Sequence, residues 1–205
     1  MKEEIRLKVW KEMMDKGIAL PPFPIYGRIP NFKGAFEAAI KLRDFKFYRG
    51  AKVILCNPDS PQRPLREIAL RDGKILIIAT PRLSKGFIAI EKSNDPSYES
   101  TIKGMLEKGK PVVPGDYEID IFVAGSVAVS LKGYRIGKGT GFSDIEYKLW
   151  EKSMKKDVVR VTTVHDIQVL NDLPSDYWDV PMDLILTPTR IIWTDFAISR
   201  GMCEK

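Results

Sequence analysis

A chain of 205 residues with 44% hydrophobic and 29% charged side chains suits one folded domain and excludes a disordered, fibrous or disulfide-stapled class. Its two cysteines, Cys56 and Cys203, lie too far apart for a metal-ligand spacing and read as reduced thiols, while the longest apolar runs, such as residues 75–79, are too short to cross a bilayer. The net charge of +6 suits anionic partners such as nucleotide phosphates or RNA without choosing among them, because positive and negative side chains are interleaved, as in EKSMKKD.

The opening MKEEIRLKVW lacks the uninterrupted apolar stretch of a secretory signal, so a cytoplasmic location is expected. Over residues 2–16, Ile5, Val9 and Met13 recur every fourth position, an apolar stripe on a helix that Gly17 can end. The following ALPPFPIYGRIP carries too many prolines for regular structure. Asn31 then offers a helix cap, with Ala35, Phe36, Ala39 and Ile40 as the buried face of a second helix. From residue 52 the period changes. Short runs rich in branched residues, at 53–55, 75–79, 119–123, 158–164, 184–186 and 191–193, alternate with polar segments of helix or loop character. The pattern predicts an α/β fold with a largely parallel sheet covered on both faces, in a single domain over residues 1–205.

Within this pattern RIGKGTGFSDIE, residues 135–146, has three glycines at alternate positions between a basic entry and an acidic exit. Glycines between a strand and a helix start allow positive φ and let backbone N–H groups approach a ligand, while the helix N-terminus adds partial positive charge. Phosphate is the natural occupant, and Arg135 and Lys138 add full positive charge. Ser143 and Glu146 have the spacing of a capping box. Asp144 beside a phosphate calls for a cation such as Mg²⁺ between them; its other reading is as a complement to the helix dipole, worth about 0.3–1 kcal/mol. The loop matches neither a P-loop nor a dinucleotide fingerprint, and by itself it is also compatible with a plain turn. His165, the only histidine, has no serine or cysteine partner in view and reads as structural, as do Trp10 and Trp150.

GSVAVSLKGYRIGKGTGFSDIEY resembles the C-terminal signature of 5-formyltetrahydrofolate cyclo-ligases, also called methenyltetrahydrofolate synthetases. RIPNFKGA, NPDSPQ, TPRL, VHDIQV and ILTPTRI are similar, in order, to the methenyltetrahydrofolate synthetase domain-containing branch of that family. The resemblance implies a three-layer α/β/α sandwich of the kind shared with sugar-phosphate isomerases and CoA transferases. It also implies a reaction in which ATP, with Mg²⁺, phosphorylates the formyl oxygen on N5 of a reduced folate, after which N10 closes the ring and phosphate leaves.

Carried over by position, the resemblance assigns Lys2, Arg6, Arg135, Gly137, Lys138, Gly139 and Gly141 to ATP, with Arg135 and Lys138 catalytic. Asp144 and Asp179 become the metal-associated acids, Asp59 stands where the family has a glutamate gripping the pterin's amide-like edge, and Phe142 can stack on a heterocycle. The loop departs from the family, which usually places a basic residue and two aromatics before the metal aspartate; here Thr140, Phe142 and Ser143 stand there. One missing electrostatic contact of this kind can be worth about 2.7–4 kcal/mol of barrier. The expectation is therefore a cyclo-ligase, with two alternatives from other classes. One is a nucleotide or folate binder without turnover. The other is an RNA-associated protein, since some relatives in the branch carry an RNA-recognition domain, although no RNP-like motif occurs in this sequence.

Overall fold

Branched apolar runs pair into a sheet here because alternate side chains can be buried on opposite faces. In the computed structural model, which describes residues 1–202, eight strands form the central sheet. Their spatial order is Ile191–Trp193, Leu184–Leu186, Met154–Thr163, Ile119–Ala124, Val53–Cys56, Ile75–Ala79, Phe87–Ile90 and Lys110–Val112. The five from Leu184–Leu186 to Ile75–Ala79 pair in parallel, whereas Ile191–Trp193, Phe87–Ile90 and Lys110–Val112 add antiparallel edges. The last two edge strands lie outside the runs recognised in the sequence, because neither is a long branched segment.

The alternation is direct. Ile54, Cys56, Leu76, Ile78, Ile121 and Val123 face one core, under helices Ala35–Ile40 and Arg63–Arg71. Val53, Leu55, Ile77, Ala79 and Phe122 face the other, which is closed by Tyr147 and Trp150 of helix Phe142–Trp150. Burying side chains of this size contributes about 1.5–3 kcal/mol each, which holds the layers together. The result is the expected α/β/α sandwich with a mostly parallel sheet. Cys56 lies within the first core, where burial pushes its thiol up to about 12 and makes it inert, as expected of a structural thiol. Cys203 lies outside the described residues. Among the described residues, no helix is long and apolar enough to cross a membrane.

A third core joins helix Lys2–Asp15 to a small sheet of Val169–Leu170, Ala128–Ser130 and Arg135–Ile136. Val9, Trp10 and Met13 are buried, and the chain leaves the helix through Gly17 at φ 64°. Two local expectations need correction. Asn31 is not a helix cap: it lies in the short strand Asn31–Phe32, its side chain bonds the Pro21 carbonyl at 2.9 Å, and the helix starts instead from left-handed Gly34. Phe36 is 54% exposed, because a helix of so few residues buries only the narrow face of Ala35, Ala38 and Ala39.

His165 caps a short turn. Its Nδ1 accepts from Ile167 N at 3.1 Å and Gln168 Oε1 accepts from its N–H at 2.7 Å, a structural role.

Candidate functional site

Val53–Cys56 and Ile119–Ala124 end side by side, and the chain leaving them opens a crevice of the kind that parallel sheets use for ligands. Here lies a cavity of about 380 Å³. All eleven residues singled out in the sequence line it: Lys2, Arg6, Asp59, Arg135, Gly137, Lys138, Gly139, Gly141, Phe142, Asp144 and Asp179. They come from the N-terminal helix, the turn after the first central strand, the glycine loop and the segment before Val180.

The glycine loop forms one wall. Gly139 and Gly141 have φ of 107° and 74°, conformations that an L side chain rarely adopts, and Gly141 leads directly into helix Phe142–Trp150. Arg6 braces the loop from below: its Nε donates to the Gly137 carbonyl at 2.6 Å, its Nη1 pairs with Glu3 at 2.9 Å, and a Cβ on Gly139 would lie 3.6 Å from the guanidinium. Lys138 is exposed and makes no ion pair among the described residues, so its ammonium is available to a ligand.

Arg135 stands differently. It is only 6% exposed, and its Nη2 and Nε donate to the Gly125 carbonyl at 2.6 and 3.1 Å. Its Nη1 lies 3.6 Å from Asp144. The guanidinium thus ties the end of a central strand to the loop, and much of its donor fork is spent inside the chain.

The opposite wall is acidic. Arg66, itself buried, donates to the carbonyls of Asn57 and Asp59 at 3.0 and 2.8 Å and so pins the turn that carries both. Asp59 approaches Gly125 so closely that a Cβ there would sit 2.9 Å from its Oδ2 and 2.7 Å from Gln62 Oε1, which explains the glycine. Burial raises the Asp59 carboxyl above its ordinary value, against the opposing charges of Lys138, Arg66 and Arg135.

Next to it stands Glu146, 4% exposed and pushed up to about 8, by burial first and by the Asp59 charge second. Glu146 is not the acid of a capping box. Gly141 occupies the cap position with no side-chain cap bond; Ser143 Oγ donates instead to Asn57 Oδ1 at 2.9 Å, and Asn57 Nδ2 donates to Glu146 Oε2. The helix begins two residues earlier than the box requires, and both side chains line the cavity.

Asp144 and Asp179 meet through the backbone, since Asp144 Oδ1 accepts from Val180 N at 3.2 Å. Asp179 Oδ2 accepts from Lys2 Nζ at 2.9 Å and from Asp176 N at 2.8 Å. One oxygen of each, Asp144 Oδ2 and Asp179 Oδ1, receives no hydrogen bond from the described residues. Two such carboxylates fit Mg²⁺, which commonly takes one or two protein oxygens and completes its shell with phosphate and water. No cluster of three metal-ligating side chains occurs among the described residues.

Sequence reasoning passed over Asn57, Glu146, Arg66 and Trp178. Asn57 stood beside Asp59 in NPDSPQ, and Glu146 had been absorbed by a local helix signal. Arg66 and Trp178 carried no spacing signal at all, although Trp178 lines the cavity and is 52% exposed.

Residues 2–188 match the 5-formyltetrahydrofolate cyclo-ligase family. The chain belongs to that family. Among its relatives is a methenyltetrahydrofolate synthase domain-containing protein of Danio rerio, 40% identical over 206 residues, which are 95% of this chain and 54% of that protein. A protein of the same description from Mus musculus is 40% identical over 210 residues, 96% of this chain and 56% of the relative. The chain thus spans little more than half the length of these curated relatives. The likeness to the 5-formyltetrahydrofolate cyclo-ligase of Escherichia coli (strain K12) is shorter, 30% over 73 residues, 36% of this chain and 38% of that one.

Two solved structures share the architecture. The 5,10-methenyltetrahydrofolate synthetase of Aquifex aeolicus aligns with TM-score 0.59 at 20% identity, covering 94% of this chain and 92% of its own. That of Mycoplasma pneumoniae aligns at 0.57 and 16%, covering 91% and 98%.

Proposed function

We propose that this protein is an ATP- and Mg²⁺-dependent cyclo-ligase that converts 5-formyltetrahydrofolate, or a related reduced pterin, to the 5,10-methenyl form, as one cytoplasmic domain over residues 1–205. The observation that carries the reading is the meeting, in one cavity, of a cation-braced glycine loop with an acidic wall. A formamide oxygen is a poor leaving group and phosphate a good one. Transfer of a phosphoryl group from ATP to the formyl oxygen therefore lets N10 attack the formyl carbon; N10 gives up its proton and phosphate departs as the ring closes. Held in one cavity, that closure is intramolecular.

Each part of the chain has a task in this reading. Lys138 meets the phosphates with its free ammonium, and the amides of Gly137, Gly139 and Gly141 line their path. Lys2 and Arg6 hold the N-terminal helix against the nucleotide side, while Asp59 and Phe142 orient the pterin. Bound Mg²⁺, held by Asp144 and Asp179, would supply neutralisation of phosphate charge.

A second reading, a nucleotide or folate binder without turnover, is favoured by the commitment of Arg135 to the Gly125 carbonyl and by uncharged Thr140 in the loop. Purified protein mixed with Mg²⁺, ATP and 5-formyltetrahydrofolate is expected to yield methenyl absorbance in step with ADP, and Asp144→Ala to abolish it. Calorimetric binding of both ligands with no ATP-dependent product would establish the second reading. Binding of neither would remove both.

A further inference from the structure

Glu146 is a nearly buried side chain that lines the cavity and that the reaction outlined above does not use. Its carboxyl is held in one orientation. Asn57 Oδ1 accepts from two donors, Gly125 N at 2.9 Å and Ser143 Oγ at 2.9 Å, so the amide cannot be reversed without setting N–H against N–H. Asn57 Nδ2 is therefore committed to Glu146 Oε2. The other oxygen, Oε1, takes no hydrogen bond from the described residues. Glu146 lines the cavity, so an oxygen without a partner in the chain, on a carboxyl held in one orientation, is free to accept from a ligand there.

Phosphates offer no such partner beside two carboxyl groups, because like charges repel. A heterocycle does. The amide-like edge of a reduced pterin presents adjacent N–H donors, on the ring nitrogen and on the exocyclic amino group, and carboxyl oxygens can accept from them. We infer that Glu146 is a second specificity-determining carboxyl beside Asp59, hydrogen-bonded to the amide-like edge of the pterin, and that Ser143 and Asn57 are the residues that aim it. The inference rests on the reduced-folate reading. Ser143, a hydroxyl in place of an aromatic ring, adds the second donor to Asn57 Oδ1 beside Gly125 N.

The test uses the whole chain and two titrations, 5-formyltetrahydrofolate and Mg²⁺-bound ATP, followed calorimetrically for the natural protein, Glu146→Met and Ser143→Ala. Glu146→Met, which keeps the length and removes the polar oxygens, is expected to weaken folate binding at least tenfold while the ATP affinity stays within twofold. Ser143→Ala, a mild change at a half-buried site, is expected to weaken folate severalfold and ATP not at all. Unchanged folate affinity in Glu146→Met, or parallel loss of both ligands, overturns the inference and leaves the proposed activity standing. Loss of ATP affinity alone also overturns it and assigns Glu146 to the nucleobase. If Glu146→Met does not fold, Ser143→Ala decides, and unchanged folate affinity there overturns the inference. Failure of the natural protein to bind folate overturns the inference and the proposed activity together.

Discussion

Lys138 and Arg135 share one short loop and one charge but not one environment. Arg135 is buried with its fork on a carbonyl, whereas Lys138 is exposed with its ammonium unpaired among the described residues. Arg135→Met leaves the Gly125 carbonyl unsatisfied, a cost of about 1–3 kcal/mol. For a chain of this length each kcal/mol moves the melting temperature by about 2–4 °C, so a clear drop is expected in a thermal scan. Lys138→Met should melt with the natural protein yet bind Mg²⁺-bound ATP about tenfold more weakly, a difference of about 1.4 kcal/mol. If the two variants exchange these outcomes, the division of labour between the two cations is wrong. The presence of both residues in the cavity wall was legible from the family resemblance that RIGKGTG carries, not from its spacing alone. Their different tasks were not, because Gly125, the partner that claims Arg135, belongs to the end of a neighbouring strand.

Individual elements are joined at their ends by polar side chains. Asp120, on the strand Ile119–Ala124, accepts from Lys52 N and Val53 N at 2.8 and 2.9 Å and pairs with Lys155 of Met154–Thr163. It thereby links three strands at the sheet end opposite the cavity. Burial pushes its carboxyl upward, but Lys155 and the two backbone N–H groups outweigh burial and hold it below the ordinary aspartate value.

A carboxyl lowered on folding adds stability above its unfolded value, near 3.9, and that contribution fades as pH falls through the lower folded value. Asp120→Ala should therefore cost about 1–3 kcal/mol at pH 7 and flatten the loss of stability below about pH 4, measured by urea unfolding across pH. An acid limb as steep as that of the natural protein would remove Asp120 from the account. The types of the two N-terminal helices and of the six branched runs followed from their periods. The start of Phe142–Trp150 did not, because two residues with cap spacing found a stronger partner in Asn57, which lies far away in sequence.

At the scale of the molecule, the cavity exists only when the N-terminal helix, the turn after Val53–Cys56, the glycine loop and the 176–179 segment come together. Lys2 joins the first to the last through Asp176 and Asp179, both at 2.9 Å. A ligand that fills such a site stabilises every element around it. At a hundred times its dissociation constant, Mg²⁺-bound ATP should add about 2.7 kcal/mol. That corresponds to a rise of about 5–10 °C in melting temperature. An unchanged melting temperature at saturating nucleotide would contradict a nucleotide site in this cavity. Lys2→Ala should reduce the ligand-induced rise more than it reduces the melting temperature of the free protein, since the ion pairs that it breaks are partly exposed.

The order of apolar runs and turn residues was enough to establish a layered α/β architecture, because the period of side-chain burial is a local property of the chain. The motifs were enough to indicate the family and most of the cavity wall. Which side chains are spent on structure and which remain for a ligand was decided by contacts across long stretches of sequence: Arg6 to Gly137, Arg135 to Gly125, and Asn57 to Glu146 and Ser143. A donor or acceptor can be used only once, and its partner is chosen by distance in space, which only the folded chain fixes.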